Sequence, residues 1–312
     1  SGLYAAIGAA GIGPGDEVIV PCTTMSATAM APLIYGGIPV FADIDENTFC
    51  ISYDSVLENL TDKTRAVIAV NLFGQAAPLA DLRKLCDEKG LILIEDNAQA
   101  PLATENGKFC GTIGHIGVFS LNYHKHIHTG EGGMCCTNDE VLALRLQMIR
   151  NHAEAVVGPA QVENLVNMVG FNFRMTELSA AIGLVQLGNI DNHVAIRKQF
   201  AECLSEGIES LDDLIPPVVR DNCSHVYYDW VVRIQDSLGV SRSTFVKALQ
   251  AEGFPCFSGY VKPLYMLPIF QKRIAIGSEK FPFHMTQRQY VKGLCPVAER
   301  LHESELFGVE TC

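Results

Sequence analysis

Positive charge is scarce in this 312-residue chain: 23 lysines and arginines stand against 35 aspartates and glutamates, a formal net charge of -12. No basic cluster stands out, so the electrostatic footprint of a nucleic-acid surface is missing and nucleic acid is excluded as a partner. No apolar run approaches the roughly 20 residues that cross a bilayer, which excludes a membrane-spanning helix. No signal peptide is visible, and the cytoplasm is the expected location. The 11 cysteines never fall in C-x-x-C spacing, which removes zinc-ribbon and thioredoxin-like chemistry. They are scattered, several lie in apolar runs such as Met134-Cys135-Cys136, and they read as reduced core thiols rather than staples. Gly11-Ile12-Gly13-Pro14-Gly15-Asp16 has the glycine content of a phosphate loop but neither of the two known spacings, and it precedes a strand, so it reads as a turn. Internal repeats and low-complexity tracts are absent as well.

What is present is apolar: 48% hydrophobic against 19% charged residues, enough for a large core and two domains. Strand-like runs at Glu17 to Val20, Pro39 to Ala42, Arg65 to Val70, Leu91 to Glu95 and Ile116 to Ser120 alternate with helical patterns at Met25 to Tyr35, Tyr53 to Leu60 and Leu79 to Lys89. That alternation predicts an α/β fold with a mostly parallel central sheet covered by helices. A helix is expected over Asn138 to Asn151, capped by Thr137, Asn138 or Asp139, followed by a long loop from Ala153 to Val169. Helical periodicity resumes from Thr176 to Ile208 with a break at Gly188-Asn189. The expected division is a large domain over 1–187 and a connector helix with a smaller α+β domain over 188–312, holding a strand at Val226 to Ile234 and a helix at Ser243 to Gly253.

Chemistry concentrates in Ile94-Glu95-Asp96-Asn97-Ala98-Gln99-Ala100, then Ser120-Leu121-Asn122-Tyr123-His124-Lys125 and Gly130-Glu131-Gly132-Gly133. An acid at a strand end, a hydroxyl and a lysine, in that order, are groups that pyridoxal phosphate chemistry could use. Its ring stores electrons best while the pyridine nitrogen stays protonated, a state favoured by a fixed carboxylate, for which Asp96 is the candidate. Lys125 is the candidate amine for covalent attachment, activated by desolvation or nearby cations. His124, His126 and His128 alternate as strand ligands to a metal would, yet no carboxylate or cysteine shares the pattern, so they read as the surroundings of the lysine. Tyr260, Lys262 and His225 are equally compatible with facing a substrate and with packing.

These segments, together with Gly117-Val118-Phe119-Ser120, Arg150-Asn151-His152, Gly170-Phe171-Asn172-Phe173-Arg174-Met175-Thr176-Glu177 and Asn71-Leu72-Phe73-Gly74-Gln75, occur in an order that resembles the DegT/DnrJ/EryC1/StrS sugar aminotransferases. The resemblance covers essentially the whole chain and implies PLP fold type I. It implies that Lys125 holds the cofactor and, once displaced by substrate, moves the proton between cofactor and substrate carbons. Asp96 then pairs with the pyridinium nitrogen, Gln99 lies by the ring and its phenolic oxygen, and Ser120 bonds the phosphate. Asn172 matches an amide that reaches a phosphate in the neighbouring subunit, which makes the active unit a homodimer with shared sites.

Two departures from the usual pattern, one at the cofactor ring and one near the sugar, leave the reaction type less affected. Met25 stands where many members stack an aromatic residue on the cofactor, and its thioether can still cover the ring. Asn122 stands where many show a histidine, which alters hydrogen bonding near the sugar. The register places Ser1 just after the family's Gly-Thr phosphate-loop pair, so the expectation is a fragment lacking both ends, with Ser1 alone approaching the phosphate and cofactor held weakly. The activity implied is amine transfer from glutamate or glutamine to a keto-sugar, nucleotide-linked, with a keto-cyclitol as another acceptor. A PLP-dependent dehydratase of the same fold, whose members replace the lysine with histidine, and a non-catalytic regulatory or sensing member are the alternatives.

Overall fold

The computed structural model describes residues 1–153, 157–158 and 162–311. A first helix, α1 (Gly2–Ala9), leads through the turn at Gly11 and Gly15, both with positive φ, into strand β1 (Glu17–Pro21). Then follow α2 (Ala27–Ile34), β2 (Ile38–Ala42), α3 (Tyr53–Glu58), β3 (Thr64–Val70), α4 (Leu79–Lys89) and β4 (Ile92–Asp96). A short hairpin, β5 (Thr104–Glu105) and β6 (Lys108–Phe109), precedes β7 (Ile116–Ser120), β8 (Gly133–Cys136) and α5 (Glu140–Arg150). The main sheet has the order β2-β1-β3-β4-β7-β8, parallel except for β8, which runs antiparallel to β7. Every residue of β1 and β2 is buried, as expected for parallel strands covered on both faces, and this is why, after Glu17, they read as apolar runs.

The sequence gives no warning of α1, because Gly2 and Gly8 carry low helix propensity. Packing explains both. A Cβ on Gly2 would lie 2.7 Å from Val118 Cγ1 of β7, and one on Gly8 would lie 2.5 Å from the Tyr35 hydroxyl oxygen beyond α2. Among the three candidate caps of α5, Asp139 takes the role, accepting from the N–H groups of Val141 and Leu142. Thr137 instead donates to His115 O at 2.7 Å. Of the expected loop from Ala153 to Val169, residues 154–156 and 159–161 lie outside the described residues.

Beyond this loop, α6 (Glu177–Leu187) and α7 (Ile190–Ile208) break where expected, at Gly188-Asn189. A second, antiparallel sheet follows in the order β11-β12-β10-β9, built from β9 (Leu214–Ile215), β10 (Asp229–Ile234), β11 (Phe257–Ser258) and β12 (Leu306–Glu310). Helix α8 (Arg242–Ala251) precedes β11. Trp230, Val232, Phe307 and Val309 of this sheet form a separate core with Ala201 of α7 and Val246 of α8. Strand β10 begins three residues later than the apolar run. Tyr227 adopts a positive φ of 48°, and the N–H groups of Val226 and Tyr228 bond Gly74 O and Phe73 O at 2.8 and 2.7 Å. This stretch is therefore tied to the turn after β3, not to the small sheet.

Between β11 and β12 the chain returns to the main core. Tyr265, Phe270 and Tyr290 surround Phe41 of β2, with ring centroids 5.0 to 5.7 Å away. Arg288 grips the Glu17 carboxylate with two bonds of 2.7 and 2.9 Å.

Candidate active site

Open α/β sheets bind ligands beyond the carboxyl ends of their strands, and a cavity of about 370 Å³ lies there. Its walls include Thr24 and Met25 after β1, Asp96 and Gln99 from the end of β4, Ser120 from β7, and Asn122, His124 and Lys125 from the loop that follows. Ser1, Gly2, Leu3 and Tyr4 bring in the start of α1. Tyr228 and Tyr260 close the cavity from the C-terminal part of the chain.

Alternation along β4 separates two buried carboxylates. Glu95 points into the structure, where it accepts from the N–H groups of Gly111, Ile113 and Gly114 at 2.6, 2.7 and 2.5 Å and fixes the loop before β7. Asp96 faces the cavity. Its Oδ2 accepts from the Thr28 hydroxyl at 3.0 Å and its Oδ1 from Ala98 N–H at 3.2 Å. Burial pushes the Asp96 carboxyl up, against the opposing pull of these two donors and of the charge on Lys125. A cationic ring nitrogen entering the cavity would restore the carboxylate.

Lys125 Nζ donates to the Tyr228 hydroxyl at 3.4 Å and lies 4.4 Å from that ring's centroid. Gln99 spans the cavity floor, with Oε1 accepting from Phe73 N–H at 2.7 Å and Nε2 donating to the Tyr260 hydroxyl at 2.9 Å. Burial pushes the Tyr260 phenol up to about 12, so it stays neutral and available as a donor. Ser120 Oγ accepts from Asn122 N–H at 3.3 Å. Met25 is 62% exposed at the rim. At the opposite wall the first helical bond of α1 runs from Ala5 N–H to Ser1 O, and Ser1 makes no side-chain cap. The preceding amides of the first turn have no partner within the helix and are open to a ligand's oxygen atoms.

Six of the seven residues singled out in the sequence, Ser1, Met25, Asp96, Gln99, Ser120 and Lys125, thus line one cavity. Asn172 does not: it is exposed and pairs with Asn151 across a β-bridge. Of the three undecided residues, Tyr260 lines the cavity, His225 is buried away from it with its ring stacked on Tyr227, and Lys262 is exposed elsewhere. The alternating histidines do not converge. His126 is buried against Val226 O at 3.1 Å and burial pushes it down to about 3, whereas His124 borders the cavity.

Among the described residues, Cys22, Asp43 and Cys295 do lie close enough to share an ion. Asp43, however, is occupied by the N–H groups of Val297 and Ala298, and contact with Cys22 together with burial pushes the Cys295 thiol up, so the cluster reads as packed thiols at a helix start. Sequence reasoning missed Thr28 and Tyr228. Thr28, four residues after Thr24 on a buried helix face, was open to detection as a polar residue needing a partner. Nothing distinguished Tyr228 among nine tyrosines.

A family model for the DegT/DnrJ/EryC1/StrS aminotransferase family matches residues 1–305. The chain is 35% identical over 270 residues to GDP-perosamine synthase of Caulobacter vibrioides, covering 85% of this chain and 71% of that protein. It is 32% identical to L-glutamine:2-deoxy-scyllo-inosose aminotransferase of Streptomyces kanamyceticus, over 99% of this chain and 76% of the relative. The solved structure of E. coli GDP-4-keto-6-deoxy-D-mannose-3-dehydratase with bound hydrated PLP superposes with a TM-score of 0.82 at 27% identity, covering 98% of this chain and 80% of that one.

Proposed function

The chain belongs to the DegT/DnrJ/EryC1/StrS aminotransferase family, and from that premise we propose that it moves an amino group from glutamate or glutamine to the carbonyl of a nucleotide-linked keto-sugar, using pyridoxal phosphate. The donor leaves as a keto acid and the acceptor carbonyl becomes an amine. The observation that carries this reading is the meeting of Asp96, Gln99, Ser120 and Lys125 in one cavity.

The residues fit the cofactor. The cavity has the size of an ordinary small-molecule site, with a carboxylate at its buried end and a hydroxyl and free helix amides at another wall. When bound, pyridoxal phosphate supplies the electron sink that lets a proton leave the carbon bearing nitrogen. Asp96 keeps the ring nitrogen protonated, Lys125 provides the amine for attachment and carries the proton from one carbon to its neighbour, and Gln99 and Met25 border the ring. Ser120, Ser1 and the first turn of α1 receive the phosphate.

An exposed apolar surface supports the homodimer in this reading. No residue of α6 is buried, although the helix presents Leu178, Leu184 and Val185 at 80%, 73% and 67% exposure. Leu165, Val166 and Val169, beside Asn172, are also more than half exposed. An apolar surface of this kind marks an interface, and α6 lies next to the site, since a Cβ on Gly183 would sit 3.2 Å from Thr129 Cγ2. The exposed Asn172 is left to a neighbouring subunit's phosphate, the role its match in the family implies.

The test is to incubate the protein with pyridoxal phosphate, reduce with borohydride and locate the modified peptide by mass spectrometry. Label on Lys125, followed by amination of a keto-sugar from a nucleotide-linked panel, is the expected result. Cofactor bound without label on Lys125 would favour a dehydratase-like or sensing role, and no binding would overturn the proposal.

A further inference from the structure

Tyr228 meets Lys125 in two ways at once, through its hydroxyl at 3.4 Å and through its ring face at 4.4 Å from the centroid. The tyrosine is itself held in place. It is 9% exposed, its N–H donates to Phe73 O at 2.7 Å, its carbonyl accepts from Thr311 Oγ1 at 2.9 Å, and its ring lies 6.0 Å from that of His126. A phenolic oxygen accepting from Nζ and a π face beside it both favour the ammonium over the neutral amine. Other charged or titratable groups that act on Lys125 include Asp96 of β4, Asp229 of β10, and His124 and His126 of its own loop.

We propose that Tyr228 is a positioning residue for Lys125, giving the amine a fixed resting place as the ammonium on the cavity wall whenever it is not engaged with the cofactor. The proposal rests on the reading of Lys125 as the amine that holds the cofactor, because a transaminase releases and retakes that amine in every cycle. An unanchored lysine would have to search many rotamers before each return. Tyr228, fixed by backbone bonds to the turn after β3, removes that search and keeps the side chain beside Asp96 and Ser120.

The test uses the cofactor-free chain, so that it does not depend on catalysis. Lys125 is arylated with fluorodinitrobenzene across a range of pH, and the modified peptide is quantified by mass spectrometry for wild type, Tyr228→Phe and Tyr228→Leu. The expected result is a fall in the midpoint of about one pH unit for Tyr228→Leu and a smaller fall for Tyr228→Phe, which keeps the ring. In the loaded protein kcat falls about tenfold in Tyr228→Leu and less in Tyr228→Phe, which keeps the aromatic wall, because the amine returns more slowly. Equal midpoints in all three proteins would overturn the proposal. Should the leucine variant fail to fold, the isosteric phenylalanine variant decides alone, an unmoved midpoint counting against it. Absence of borohydride label on wild-type Lys125 would instead defeat the functional reading and leave the arylation result standing.

Discussion

At the carboxyl end of the parallel sheet, Thr24, Gln99 and Asp96 are 1%, 4% and 5% exposed, and Gln99 and Asp96 are hydrogen-bonded to groups from other elements. On α6 the situation is inverted: Leu178 and Leu184 stand in water at 80% and 73% exposure, and the helix buries nothing. Polar groups are inside and satisfied in one region, and apolar groups are outside and uncovered in the other. The first arrangement is tolerated because the buried Asp96 and Gln99 side chains find donors and acceptors within the chain. The second becomes favourable only when another surface arrives. One region is held together by bonds within this chain, whereas the other presents apolar side chains that the proposed second copy would cover.

The largest expected effect comes from breaking the internally bonded region at its chemical centre. Lys125→Ala should lower amine transfer at least about a thousandfold and abolish borohydride labelling, with the circular dichroism spectrum unchanged; retained label would show that another lysine carries the cofactor. Next, the paired change Leu178→Glu with Leu184→Glu should weaken self-association by at least about a hundredfold, seen as monomers in sedimentation. Because both side chains are exposed, the monomer's urea midpoint should shift by no more than about 0.5 kcal/mol equivalent. A large loss of monomer stability would mean that α6 packs within its own chain.

The buried groups also make stability depend on pH, and two kinds act in opposite directions. Burial pushes His126 and His225 down to about 3, so their contribution is present above the usual histidine value near 6.5 and is lost as pH falls toward 3. Each costs about 2 kcal/mol by about pH 5, measurable by urea unfolding, and His126→Gln should remove part of that acid sensitivity. Burial, then the neighbouring Glu310, pushes the Asp229 carboxyl up to about 7. That contribution is complete below the usual value near 4 and lost as pH rises through about 7, so Asp229→Asn should flatten the neutral side of the profile. The smallest effect is Asp139→Ala, about 1 kcal/mol from the lost cap of α5, read from a thermal melt.

Legibility in the sequence followed the range over which each feature is decided. Strand β7 and helix α4 were readable to the residue, since a buried parallel strand and an amphipathic helix are written in adjacent side chains. The break between α6 and α7 was visible for the same reason, at Gly188-Asn189. Helix α1 was not, because its glycines serve contacts with β7 and with Tyr35 that only the fold creates. The late start of β10 depends on bonds to Gly74 and Phe73, remote in sequence. Within the site, Asp96 and Lys125 could be read from their local motifs and the resemblance. Tyr228 depends on the path of the C-terminal segment, and Thr28 becomes recognisable only once the side chain of Asp96 is seen to need a donor.

The bonds from Val226 and Tyr228 to the turn after β3 carry a consequence for the order of synthesis. Asp96 and Lys125 leave the ribosome well before Tyr228 and Tyr260, which complete the walls around them. Until those tyrosines arrive, the sheet end is an open shelf, its lysine without the aromatic face and its glutamine without the phenol. Whatever the cavity is built to hold therefore meets these aromatic walls only on a chain whose distant segments have already found each other, and its capture would report that they have.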